Sequence, residues 1–372
     1  MYFREAHFQF AKRTRAFAND RRIDMKLFNT AWHQSATCTS VTNRTIAAIC
    51  VFANSVAIGL FVAICSSVCD AQSPSMSSCG EVWEISTRHL PCSACNVATP
   101  TPFEVHRWSN CRWERRTIEA ATDAVSENGD VPLTIIYVHG NWMERDNARE
   151  RVRIINSYVA KSACEPYRIL MFSWPSQRDN RILADVRENA QCAEAQAFYF
   201  ASLLQLVSAN SERVSVLGFS FGARTISGGL HLNAGGTLPG TPILGTGNPN
   251  TRYRVSLVAP AIDRDWLETN GRHRYAMNNV DQLINLYNSR DPILRRFRFI
   301  DSIASPIAAG FAGFAGFDAS ANPRSTEPLI ASDRIKQYDC GTQIGSTHSE
   351  RDYYGKCPHF QTAINNLLWK TP

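Results

Sequence analysis

Charge is scarce in this chain. Charged residues make up 19% of its 372 positions, too few for a coiled coil or a disordered polyampholyte. Its 20 glycines and 17 prolines fall far short of a collagen-like composition, and no segment recurs at the period of a solenoid. These absences leave a globular chain, 44% hydrophobic and 10% aromatic. A basic field able to follow a phosphate backbone is also missing from most of it, in spite of the formal net charge of +6. Residues 1–44 hold eight Lys or Arg against Glu5, Asp20 and Asp24, a net +5, so the remaining 328 residues carry about +1. Nucleic acid is therefore not an expected partner.

Charge disappears altogether from Thr45 to Cys69, and the apolar run Ile46 to Cys65 is broken by polar side chains only at Asn54 and Ser55. As a helix those 25 uncharged residues span roughly 37 Å, enough to cross a bilayer. Basic residues in front of the run place the N-terminus in the cytoplasm and the rest across the membrane. The expected organisation is a basic segment (1–44), an N-terminal hydrophobic helix (45–70), a short linker (71–80) and one globular body (81–372). The helix reads either as a signal anchor or as a signal peptide, starting at Met25 and cut near the small residues that follow Cys69. The body is then tethered to the membrane through an uncleaved helix, or secreted or periplasmic after cleavage. Ile64 before Cys65 and Val68 before Cys69 lack the small side chain of a lipoprotein signal.

Eight of the twelve cysteines lie beyond the apolar run: Cys79, Cys92, Cys95, Cys111, Cys164, Cys192, Cys340 and Cys357. An even number in a translocated body points to disulfides. Cys92 and Cys95 form a CxxC flanked by Cys79 and Cys111, which raises a zinc site as an alternative. Structural zinc sites present two close pairs, however, and only one is close here. No metal is expected.

The body alternates short, nearly continuous apolar strands with helical stretches. The strands are 134–138 (TIIYV), 167–172 (YRILMF), 214–217 (VSVL), 254–258 (RVSLV), 282–287 (QLINLY) and a last one at 334–339; the helices are 144–160 and 185–208. Such alternation predicts an α/β fold with a doubly wound, mostly parallel sheet. Segments 81–86 and 103–108 are candidate edge strands. The small, Phe-punctuated stretch 303–317 reads either as a loop lining a substrate entrance or as a packed connection.

A strand running into Gly218-Phe219-Ser220-Phe221-Gly222 and on into a helix forms a nucleophile elbow. The glycines remove side chains that would collide with the turn, and Ser220 is held out above the sheet near the helix's positive end. The strand TIIYV runs directly into His139-Gly140-Asn141-Trp142, the expected second oxyanion loop. The N–H groups of Phe221 and Asn141, with Trp142 as the alternative to Asn141, would hold a developing oxyanion. His139 reads as an orienting residue. In this arrangement the acid and then the base follow the serine in the chain. Asp291, just past the strand QLINLY, is the expected acid, with Asp263 and Asp301 as alternatives. His348, in a small-residue loop after the last strand, is the expected base, with His359 as the alternative.

The segments VHGNW, FSWPS, GFSFG, VAPAID, NSRDPIL and STHS together resemble the α/β-hydrolase superfamily across about residues 81–370. They are most similar to a bacterial esterase- or lipase-like branch in which a Trp-Pro-Ser turn follows the HG loop. The resemblance implies the triad Ser220, Asp291 and His348, no cofactor and a small acyl-ester substrate. Where relatives often carry an acid after the Ala-Pro of the sixth strand, this chain has Ala261. Amide and thioester hydrolysis use the same machinery. The rival reading is a catalytically silent, membrane-tethered binding or envelope protein that keeps the fold. Oligomeric state has no signal in the sequence.

Overall fold

The computed structural model describes residues 80–123, 125, 132–178, 182–299, 306–316 and 332–370. The basic segment, the hydrophobic helix and all of the linker but Gly80 lie outside the described residues, as do Cys79 and Asp301. Among the described residues no helix is long and apolar enough to cross a membrane.

In chain order the strands are β1 (Gly80–Ser86), β2 (Glu104–Ser109), β3 (Arg112–Arg116), β4 (Leu133–Val138), β5 (Tyr167–Ser173), β6 (Arg213–Phe219), β7 (Arg252–Val258), β8 (Val280–Tyr287) and β9 (Ile335–Asp339). The helices are α1 (Ile118–Thr122), α2 (Arg145–Ala160), α3 (Ile182–Ser208), α4 (Phe221–Asn233), α5 (Ala309–Ala312), α6 (Gly341–Ile344), α7 (Glu350–Lys356) and α8 (Phe360–Leu367). Among the described residues these nine strands form one sheet in the order β3-β2-β1-β5-β4-β6-β7-β8-β9. Pairing is parallel from β1 to β9. Only β1–β2 and β2–β3 are antiparallel. This mostly parallel sheet with flanking helices is the expected α/β arrangement.

Continuous apolarity marks the central strands because both faces are covered. Every residue of β4 and β5 is buried. In β6 successive side chains point to opposite helices: Ser215 Oγ donates to the Leu367 carbonyl of α8 at 2.6 Å, while Gly218 lies against Ile226 of α4. Burial of a large aliphatic such as Ile135 or Ile136, both wholly inaccessible, contributes roughly 1.5–3 kcal/mol each.

The five clearest strand expectations hold, with ends moved by one or two residues. The segment 81–86 is a correction: β1 is interior, not an edge, because it pairs with β5 on one side and β2 on the other. Its Glu84 carboxylate is fully buried and paired with Arg145 and Arg149 from α2. The segment 103–108 is corrected likewise, since β2 pairs with both β1 and β3; the edge on this side is β3, whose exposed Arg112, Arg115 and Arg116 discourage further strand pairing.

Registers align the carboxyl ends of the strands. Val138 pairs with Gly218, Phe219 with Val258 and Tyr287 with Asp339. The loops at 139–142, 220, 259–263, 288–291 and 340–348 therefore open onto one rim of the sheet.

Candidate active site

Ser220 stands between β6 and α4 with φ 53° and ψ −118°, a left-handed conformation that costs an L-residue on the order of 1–3 kcal/mol. Neighbouring backbone holds it there. Its N–H donates to the Val258 carbonyl at 3.0 Å, and its carbonyl accepts from Ala223 N at 3.0 Å and Ala261 N at 3.1 Å. Gly222 is sterically required, because a Cβ there would sit 2.2 Å from the Val138 carbonyl oxygen; one on Gly218 would sit 2.4 Å from Ile226 Cδ1, the end of a side chain that would have to turn aside. The His139-Gly140 loop also approaches closely, since a Cβ on Gly140 would lie 2.7 Å from the Phe219 ring and 3.2 Å from Ser220 Cβ.

Three side chains expected from sequence meet at this point. Ser220 Oγ is 2.9 Å from His348 Nε2. His348 Nδ1 is 2.5 Å from Asp291 Oδ2. Asp291 is fully buried, and its Oδ1 accepts from the N–H groups of Ile293 at 2.8 Å and Leu294 at 2.9 Å. Both carboxylate oxygens are thus engaged, one by the ring and one by the turn that follows. Such a chain can carry a proton from the hydroxyl to the imidazole while the carboxylate fixes the tautomer.

The alternatives sit elsewhere. Asp263 Oδ1 accepts from Arg264 N at 2.7 Å and Ile307 N at 3.2 Å, pinning one loop to another. His359 precedes α8 and stacks on Tyr338, with ring centroids 4.3 Å apart. Cys92 is bonded to Cys192, a hundred residues away, and Cys340 to Cys357. The zinc alternative for the CxxC therefore fails, because Cys92 is already committed. Cys95, Cys111 and Cys164 are free and exposed.

Phe221 begins α4 and is buried. Asn141 follows Gly140, and its side-chain Oδ1 is buried without a hydrogen-bond partner. Trp142 has φ 54°; its indole N–H donates to Asp185, and Arg178 lies over its ring at 4.8 Å. His139 is fully buried and neutral. Burial, followed by the nearby Arg88 guanidinium, holds its pKa well below the ordinary value. Its Nδ1 is 2.9 Å from the Gly140 carbonyl, and its Nε2 accepts from Trp174 N at 3.2 Å. Trp174 returns an indole hydrogen bond to the His139 carbonyl at 2.9 Å and stacks on the imidazole. The HG loop and the Trp-Pro-Ser loop are thereby fastened together.

The solved structures similar to this chain include esterases. Esterase B from Lactobacillus rhamnosis, in an inhibited form, is 12% identical, covers 83% of this chain and 90% of its own, and has a TM-score of 0.34. The catalytic core of acetyl xylan esterase from Trichoderma reesei is 14% identical over 64% of this chain and 98% of its own, at 0.31. Thermogutta terrifontis esterase 2, phosphoramylated by tabun, is 10% identical over 66% and 84%, at 0.27. No protein-family model and no curated protein matches. Likeness at this level says nothing about chemistry, and the functional reading rests on the geometry above.

One supporting cluster has no sequence signature. Glu350, two residues after His348, is buried and accepts from the Tyr137 hydroxyl of β4 at 2.9 Å. Arg151 of α2 pairs with it at 3.2 Å. Burial pushes the Glu350 carboxyl above its ordinary pKa, with Arg151 opposing that shift. Only the fold brings residues 137, 151 and 350 together.

Proposed function

We propose that this protein is a serine hydrolase that cleaves carboxylic esters. Ser220 is the nucleophile, His348 the base that takes its proton and passes it to the departing alcohol as the ester C–O bond breaks, and Asp291 the carboxylate that orients the imidazole. The N–H groups of Phe221 and Asn141 hold the oxyanion, and water, activated by the same histidine, releases the acyl group. The observation that carries this reading is the unbroken relay from Ser220 Oγ to His348 to Asp291, built on a serine with positive φ at the strand-to-helix turn. A silent binding protein has no use for a strained serine whose hydroxyl faces an oriented imidazole. The two disulfides support a body that works outside the cytoplasm. A series of p-nitrophenyl esters of increasing acyl length tests the reading on the full chain. It predicts turnover with an optimum in chain length, abolished by Ser220→Ala and by His348→Ala. Turnover that survives Ser220→Ala would overturn it. Cleavage of amide analogues with no ester turnover would move the assignment to amide chemistry at the same serine.

A further inference from the structure

Asn288, the first residue after β8, is fully buried, and every polar group it has is used. Its side-chain amide nitrogen donates to the Gly345 carbonyl at 2.9 Å and to the Thr347 carbonyl at 3.0 Å. Its Oδ1 accepts from Arg290 N at 2.9 Å. Its own N–H donates to the Gly310 carbonyl at 2.9 Å, and its carbonyl accepts from Asp291 N at 3.0 Å. The amide orientation is dictated by these partners: two carbonyl oxygens demand the NH₂ end and one N–H demands the oxygen.

The partners are not arbitrary. Gly345 and Thr347 belong to the loop that presents His348, and Arg290 immediately precedes Asp291. Gly345 has φ 75° and ψ −160°, a backbone region essentially reserved for glycine, so the path of this loop is unusual and needs an anchor. Asp339 adds a second tie between the same two segments, accepting from Ser289 N at 3.1 Å and Gly341 N at 2.9 Å.

We propose that Asn288 is a positioning residue for the proton relay: one buried amide ties the turn that carries Asp291 to the loop that carries His348, and so sets the imidazole against both the carboxylate and Ser220. The inference rests on the reading of Ser220, His348 and Asp291 as a triad. The Asn288 side chain spends its hydrogen bonds on Gly345, Thr347 and Arg290 and acts on the relay through the backbone it holds. Misplacing a base by about 1 Å costs on the order of 10²-fold in rate.

The test is the steady-state kinetics of full-length Asn288→Ala and Asn288→Asp with p-nitrophenyl acetate, in the wild-type and His348→Ala backgrounds. Asn288→Asp preserves volume and the acceptor for Arg290 N, but turns the two-donor end into a carboxylate oxygen facing two carbonyls. Should the alanine variant fail to fold, the aspartate variant carries the same comparison. The expected result is a fall in kcat of about 100-fold with KM changed less than about threefold, and almost no further loss in the His348→Ala background, because residues acting through one group are not additive. Two results would overturn the proposal: an unchanged kcat, or an equal fractional loss with and without His348, which would mark Asn288 as merely structural. Failure of the underlying reading looks different. If wild type has no activity that Ser220→Ala removes, the triad assignment falls and this proposal with it. If Ser220→Ala is inactive but the Asn288 variants run at full rate, only the positioning role falls.

Discussion

Ser220 and His348 meet at 2.9 Å but reach that contact by opposite routes. The serine is fixed by its immediate neighbours in the chain and by the strands on either side: a glycine at 222 with no room for a side chain, and three backbone hydrogen bonds, to Val258 of β7, to Ala223 of α4 and to Ala261 in the loop after β7. The histidine lies on a segment between the bonded Cys340 and Cys357 that is tied to distant parts of the chain: Asn288 donates to the Gly345 and Thr347 carbonyls, and Glu350 accepts from Tyr137. The first half of the site is written into five consecutive residues. The second half is assembled only when the fold is complete, so it should be the half that fails first.

Removing either reacting group should give the largest effect. Ser220→Ala and His348→Ala should each lower kcat by on the order of 10⁴-fold or more, and the double variant should be no worse than the poorer single one. Additive losses would show that the two side chains do not act as a unit. Next in size is Gly222→Ala, which drives a Cβ into the Val138 carbonyl. We expect a stability loss of about 3 kcal/mol or more by thermal melt, and a melt like wild type would refute the steric account of the elbow.

Smaller is the loss of the Cys340–Cys357 bond. Replacing both by alanine should cost about 2–4 kcal/mol, and activity should vanish at lower urea than the overall fold does. Coincident transitions would show that the histidine loop is as firmly held as the elbow. The smallest effect is one of pH. Buried, neutral His139 has a folded-state pKa well below its unfolded value near 6.5, so the unfolded chain binds the extra proton. The stability it contributes is complete above pH 6.5 and is lost as pH falls below it, at up to about 1.4 kcal/mol per pH unit. His139→Gln should flatten the melting temperature's dependence on pH between 6.5 and 5. An unchanged slope would contradict the assignment of His139 as neutral.

The same contrast explains what could be read from the sequence. Gly218 to Gly222 and His139-Gly140 announce themselves, because their chemistry depends on adjacent residues. The buried central strands are equally legible, since nothing but continuous apolarity survives between two helical layers. The interior place of β1 was not legible, because its Glu84 is a charge inside a strand whose burial depends on Arg145 and Arg149 of α2. The pairing of Cys92 with Cys192, and the meeting of Tyr137, Arg151 and Glu350, depend on segments far apart in the chain, and no local pattern encodes them. Asn288 is intermediate: it stands in the NSRDP segment beside the acid, but its partners at 345 and 347 are visible only in three dimensions.

The central claim is that Ser220 is an activated nucleophile. Peptide mass mapping of the full-length chain after reaction with a fluorophosphonate probe tests it most directly. The account predicts a single phosphonyl adduct on Ser220, absent from Ser220→Ala and formed far more slowly in His348→Ala. An unmodified Ser220, or an adduct on another residue that persists in Ser220→Ala, would contradict it.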